Sequence, residues 1–255
     1  RLMQHGMGGS EEAVALLASE LARRGLRVQV FAPLDARFHG VHVENGVRWR
    51  PLDSLDMIRP LPGISIAHRA PNAVRLPCFS PDRLYVWHQD AVYSSGVWTV
   101  PIAKAVRSLF VSEWQRLALC EDGLGINATD DLGIVCGNGI PETALVWPLP
   151  EEPAREPLKC IYASSPLRGL IHLLDIWPEI LDAFPAASLH LYYGWETAPA
   201  WPAVQAMRSA LMKTVFESHS VTWRGRVSQS ELEREMRGAG VLLYPCVTGD
   251  TRISM

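Results

Sequence analysis

The sequence predicts an α/β fold of two doubly wound, Rossmann-like domains, and three observations predict it. Short apolar strands alternate with amphipathic helices along the chain, the pattern of parallel sheets covered by helices. One stretch, Trp147 to Pro157 (WPLPEEPAREP), interrupts that series with four prolines and polar residues, as a linker does. The segment after it, Lys159 to Phe184, restarts the series with a strand, a small turn and a helix. The expected organisation is a first domain at residues 1–146, a linker at 147–157 and a second domain at 158–255.

Composition narrows the class. The chain has 255 residues, 48% of them apolar, enough for the cores of two modest domains. A net charge of −3 and the lack of any basic run argue against nucleic acid as a partner. No apolar stretch is long enough to span a bilayer. The five cysteines are odd in number, widely spaced and without zinc spacing. They read as small buried thiols in a reducing cytoplasm. The chain opens at Arg1, with only Arg1 to Gln4 before a glycine loop, and stops at Met255 where a helix should begin. Both ends are therefore expected to be cut, leaving the second domain incomplete.

In the first domain, Gly6, Gly8 and Gly9 precede a helix with Val14, Leu17, Ala18 and Leu21 on one face. Ser10 is expected to cap it, Glu11 and Glu12 to favour its positive end, and Gly25 to close it. Arg27–Ala32 is a strand. Val41–Pro51 reads as a hairpin around Asn45-Gly46, a strong turn pair. Strands follow at Ile64–Ala67, Leu84–Trp87, Leu109–Val111 and Gly133–Cys136, with a helix start at Ser112. A dinucleotide site is disfavoured: Glu11 stands where the third glycine of the fingerprint belongs, and the next strand ends at Ala32-Pro33 without an acid.

In the second domain, Cys160–Ala163 is a buried strand, Ser164 to Pro166 break it, and Arg168-Gly169 open a helix. Its apolar positions Leu170, Leu173, Leu174 and Trp177 keep the helical period, and Pro178 should kink it or shift its start. Strands at Ser188–Tyr193, Val221–Trp223 and Val241–Tyr244 alternate with helices at Ala203–Phe216 and Glu231–Arg237, the latter capped by Ser230. A strand running into a helix start aims backbone N–H groups and a dipole at one spot. With the hydroxyls and the guanidinium of the same turn, that spot suits a diphosphate; the competing reading is an ordinary turn with a solvated arginine.

Taken in order, MGGSEEAVALLASELARRG, VWHQD, FVSEWQR, VCGNGIP, YASSPLRGL, YYGWE, WRGRVSQSEL and GVLLYP resemble a bacterial glycosyltransferase of family four, with the GT-B fold. The resemblance covers nearly the whole chain. It implies a hexosyltransferase that moves a sugar, with retention of anomeric configuration, from a nucleoside-diphosphate sugar to a glycan, lipid or other glycoconjugate acceptor. It implies neither metal nor other cofactor, a cytoplasmic location, and room for peripheral contact with the inner face of the membrane. Arg168 matches the family's basic residue, with Ser164 in the same loop, as donor-binding groups. Gly8 and Gly9, also expected as donor-binding, match the glycine loop that approaches the diphosphate or the acceptor. His88 matches a histidine near the transferred sugar, and Arg226 lies in the loop around the base. Asp250 stands near the place of a catalytic glutamate, one carbon shorter, with Arg252 where the family has an aromatic. The departure keeps an alternative open: a nucleotide-sugar-binding module or inactive fragment. An epimerase of similar architecture would need more acid–base side chains than the sequence offers.

Overall fold

The computed structural model describes residues 9–34, 40–56, 59–90, 107–121, 133–140, 153–195 and 202–245. They fall into two compact units, 9–140 and 153–245.

The first unit opens with α1 (Gly9–Arg23), whose alanines Ala13, Ala15 and Ala18 are buried. Ser10 is not its cap: it lies inside the first turn, where its hydroxyl bonds Glu11 and Arg69 instead. The C-terminus closes as expected, with Gly25 at φ 86°. Its N–H reaches the Ala22 carbonyl and the Leu26 N–H reaches Leu21, so a Schellman motif satisfies the last carbonyls. Arg23 and Arg24 both bond Glu20.

Strands β1 (Gln29–Ala32), β2 (His42–Glu44) and β3 (Val47–Pro51) form one sheet in the order β1-β3-β2. The hairpin β2–β3 is antiparallel, pairing Glu44 with Val47. Its turn residues Asn45 and Gly46 both have positive φ, 52° and 77°, which the Asn-Gly pair tolerates and most residues do not. A second sheet of β4 (Ser65–His68), β5 (Leu84–Trp87), β6 (Arg107–Phe110) and β7 (Gly133–Val135) is parallel throughout, in sequence order. β6 stops before Val111 because the Gln115 side chain takes the Val111 N–H at 2.9 Å. Helix α2 (Glu113–Glu121) follows, capped by the Ser112 hydroxyl, which accepts from the Gln115 N–H.

The second unit is built on β8 (Glu156–Ala163), β9 (Ser188–Tyr192), β10 (Val221–Gly225) and β11 (Ala239–Leu242), a parallel sheet ordered β10-β9-β8-β11. Helix α3 (Leu170–Ala183) lays Leu170, Leu173, Leu174 and Trp177 on Tyr162, Leu189 and Leu191. Each such large side chain, fully buried, contributes about 2 kcal/mol. Helix α4 (Pro202–Glu217) adds Val204, Leu211 and Val215 to the same core. α3 runs through Pro178 as one element; Trp177 is buried beside it and its indole N–H bonds the Ser220 hydroxyl at 2.9 Å. Helix α5 (Gln229–Gly238) is capped by Ser228, not Ser230: the Ser228 hydroxyl accepts from the Glu231 N–H at 3.2 Å. Ser228 to Glu231 is the S-x-x-E spacing of a capping box.

β8 starts at Glu156, inside the stretch expected as linker, because β11 pairs with it that far back, Ala239 beside Glu156. Pro157 has no N–H for the ladder, and the register is irregular there, between Ala239 and Val241. At that irregularity Gly240 approaches so closely that a Cβ on it would overlap the Pro157 backbone.

Candidate functional site

In open α/β sheets, ligands lie beyond the carboxyl ends of the strands, where loops and helix starts gather. Each unit carries a polar cluster there.

In the first unit, the cluster joins the start of α1 to the ends of β4, β5, β6 and β7. Arg69, just past β4, has φ 53°, unusual for a residue with a side chain. Its guanidinium bonds both carboxylate oxygens of Asp90, at 2.7 and 3.0 Å, and lies 3.3 Å from the Ser10 hydroxyl and 3.7 Å from Glu11. Gln89 and Asn138 pair amide to amide at 2.8 and 3.1 Å, so the VWHQD and VCGNGIP motifs meet. Gln115, fully buried, donates to the Asp90 carbonyl. Arg69 and Asn138 are the contacts that sequence reasoning missed. The space where a Cβ on Gly9 would stand is open.

His88 lies under this cluster. It is fully buried, stacked on Phe110 with centroids 5.0 Å apart, and its Nε2 is 3.2 Å from the Ser108 hydroxyl. Burial pulls its pKa down to about 3, so the ring is neutral at ordinary pH. His68, edge-on to Trp87, falls to about 4 through burial first and the Arg69 charge second.

In the second unit, the loops after β8, β9, β10 and β11 supply Ser164 and Arg168, Tyr193, Arg226 and Tyr244. Gly169, at φ 86°, is the residue before α3, with no side chain capping the helix. Arg168 Nη1 lies 3.4 Å from the Tyr244 hydroxyl, so the ends of β8 and β11 converge on it. Ser164 is half-buried in the same loop. Arg226 stacks its guanidinium over the Tyr193 ring at 5.6 Å. Tyr193 has φ 128°, and its N–H bonds the Gly225 carbonyl at 3.0 Å. Trp195 and Trp223 stack nearby, 6.3 Å apart. Of the expected donor groups, Ser164 and Arg168 share one loop and Arg226 lies in the loop after the next-but-one strand of the same sheet. Gly8 and Asp250 lie outside the described residues.

Away from that edge, α5 covers the sheet through a half-buried network. Glu235 accepts from Lys159 at 3.0 Å and from the Tyr192 hydroxyl at 2.8 Å. The lysine bond holds the Glu235 carboxyl below its ordinary range, and burial pushes the Tyr192 hydroxyl up. Cys78, Cys136 and Cys160 are free, each thiol raised by burial. Among the described residues no group of three or more His, Cys, Asp or Glu is placed to hold a metal, and no helix is long and apolar enough to cross a membrane.

Two parallel sheets, each with its polar loops at the carboxyl edge, define an α/β protein of Rossmann-like units, and its fold is that of the GT-B glycosyltransferases. The chain is similar to Anabaena Alr3699/HepE, solved in complex with UDP and glucose: 14% identity, 97% of this chain and 73% of that one, TM-score 0.59. It is also similar to AviGT4, a glycosyltransferase involved in avilamycin A biosynthesis: 17% identity, 97% and 65%, TM-score 0.51. Against the GtfA/B complex it spans only 33% of the solved chain, at 13% identity and a TM-score of 0.43. No protein-family model and no curated protein matches the chain.

Proposed function

We propose that the chain is a glycosyltransferase of hexosyl type. It takes the sugar of a nucleoside-diphosphate sugar, with retention, to a glycan, lipid or other glycoconjugate hydroxyl. The observation that carries this is Arg168. It stands where strand β8 turns into helix α3, at the carboxyl edge of a parallel sheet, with Ser164 in its loop. HepE, of similar fold, was solved with UDP and glucose.

In the reaction, the bond from the anomeric carbon to the diphosphate oxygen breaks. A bond from the acceptor oxygen forms, and the departing diphosphate carries off the acceptor proton. Negative charge grows on the diphosphate, and Arg168 with the α3 start is preorganised to receive it without a metal. Arg226 and Tyr193 are assigned to the base end, Gly8 and Gly9 to the donor diphosphate where it faces the acceptor, and the Arg69–Asp90 cluster to the acceptor side. Asp250 is assigned as the catalytic side-chain carboxylate beside the donor sugar. His88, being neutral, is left a hydrogen bond to the transferred sugar rather than a proton transfer, and takes it only once its ring edge is uncovered. The reading places the protein in the cytoplasm, with contact to the membrane face only where the acceptor is a lipid.

The burial of His88 also favours a second reading, a module that binds nucleotide sugar without turning it over. Sugar transfer from UDP-, GDP- and ADP-glucose to simple glycosides, followed by NMR of the anomeric signal, separates the two. An α-configured product from an α-configured donor supports the transferase. Binding without product supports the module, and an inverted product removes the retaining assignment.

A further inference from the structure

We propose that Tyr162 is a positioning residue for the diphosphate site: its buried hydroxyl sets the turn that presents Arg168. The inference rests on the donor-site reading above. Tyr162 is 1% exposed, with its ring in the core beside Leu170 and Leu173. A tyrosine that only fills a core has no use for its oxygen, which must then find a partner at some cost. Here the hydroxyl lies 2.6 Å from the Ser165 carbonyl oxygen and 2.9 Å from that of Arg168. Its single proton is shared between the two. The Ser165 carbonyl also accepts the Arg168 N–H, at 2.8 Å. The whole turn from Ser165 to Arg168 is thus closed on one buried oxygen.

That closure has a direction. A peptide unit is planar and trans, so holding the Arg168 carbonyl on the Tyr162 hydroxyl points the Gly169 N–H the opposite way. Gly169 is at φ 86°, and glycine passes between positive and negative φ with little resistance. No side chain caps α3 to fix it. The Tyr162 hydroxyl supplies the missing constraint: it holds both carbonyls of the turn, and with them the backbone from which the Arg168 side chain departs.

The test is Tyr162→Phe, which keeps the ring and removes the hydroxyl, titrated with UDP, GDP and ADP and with the nucleosides uridine, guanosine and adenosine. The diphosphate that binds the native chain is expected to weaken about tenfold, the loss of one well-placed phosphate contact. The matching nucleoside, which has no phosphate, keeps its affinity. In the Arg168→Ala background, Tyr162→Phe adds no further loss. A role confined to packing would lower the melting temperature and weaken nucleoside and diphosphate alike, and that result overturns the proposal. So does unchanged diphosphate affinity in Tyr162→Phe beside a weakened Arg168→Ala. If Arg168→Ala itself changes nothing, the donor-site reading falls and takes this one with it.

Discussion

Arg69 holds Asp90 through two parallel bonds, at 2.7 and 3.0 Å, from a backbone at φ 53°. A non-glycine residue is kept in the left-handed region, at a cost of about 1 kcal/mol or more, only where its surroundings insist on it. Here the insistence comes from Asp90, with Ser10 and Glu11 at the start of α1. The pair is half-exposed, so its own contribution to stability is within about 1 kcal/mol. Its effect should lie in function. Arg69→Ala should cut glycosyl transfer about tenfold while leaving nucleoside-diphosphate affinity unchanged, because Ser164, Arg168 and Arg226 lie in the other unit. Equal loss of diphosphate affinity, measured by calorimetry, would remove the acceptor-side assignment.

Gly240→Ala should destabilise the second unit by about 2 kcal/mol or more, since the new Cβ must displace the Pro157 backbone. Urea denaturation reads this directly. An unchanged midpoint would mean that β11 does not approach β8 as described.

The Gln89–Asn138 pair makes a separate stability prediction. Gln89 is 7% exposed and Asn138 is exposed, so Asn138→Ala trades the pair for water. The expected cost is about 1 kcal/mol, the net worth of the hydrogen bonds lost. A loss below the error of a denaturation curve would contradict the pairing.

Much of the fold is legible because its signals are local. β5 falls on Leu84–Trp87 as the apolar run indicates, Asn45-Gly46 makes its turn, and Gly25 ends its helix. Local signals also mislead by small steps: Ser228 rather than Ser230 caps α5, since both lie next to the same apolar pattern. What sequence could not supply is pairing at a distance. β8 reaches back to Glu156 because Ala239 lies beside it. Arg69 meets Asp90, and Gln89 meets Asn138, across separate strands. Tyr162 carried one missed hint: a hydroxyl near the end of the strand's otherwise apolar run, just before Ser164 and Ser165.

Acid should unfold the first unit through its histidines. The folded-state pKa values of His88 and His68, about 3 and about 4, lie below the ordinary 6.5. Between those limits the unfolded chain binds more protons than the folded one, so stability rises with pH there. The contribution is complete above pH 6.5 and is lost as pH falls from there toward 4 and then 3. Melting temperatures from pH 7.5 down to 4.5 should fall progressively, and His88→Phe, which keeps the stack on Phe110, should flatten that slope. A slope identical in native protein and variant would contradict the buried, neutral His88.

The central claim is that Arg168 marks the donor diphosphate site. Calorimetric titration of the native chain and Arg168→Ala with UDP, GDP and ADP tests it most directly. The account predicts that one of the three binds the native chain and that the variant loses at least about tenfold, or 1.4 kcal/mol, of that affinity. Equal affinity in both, or no binding of any of the three, would contradict it.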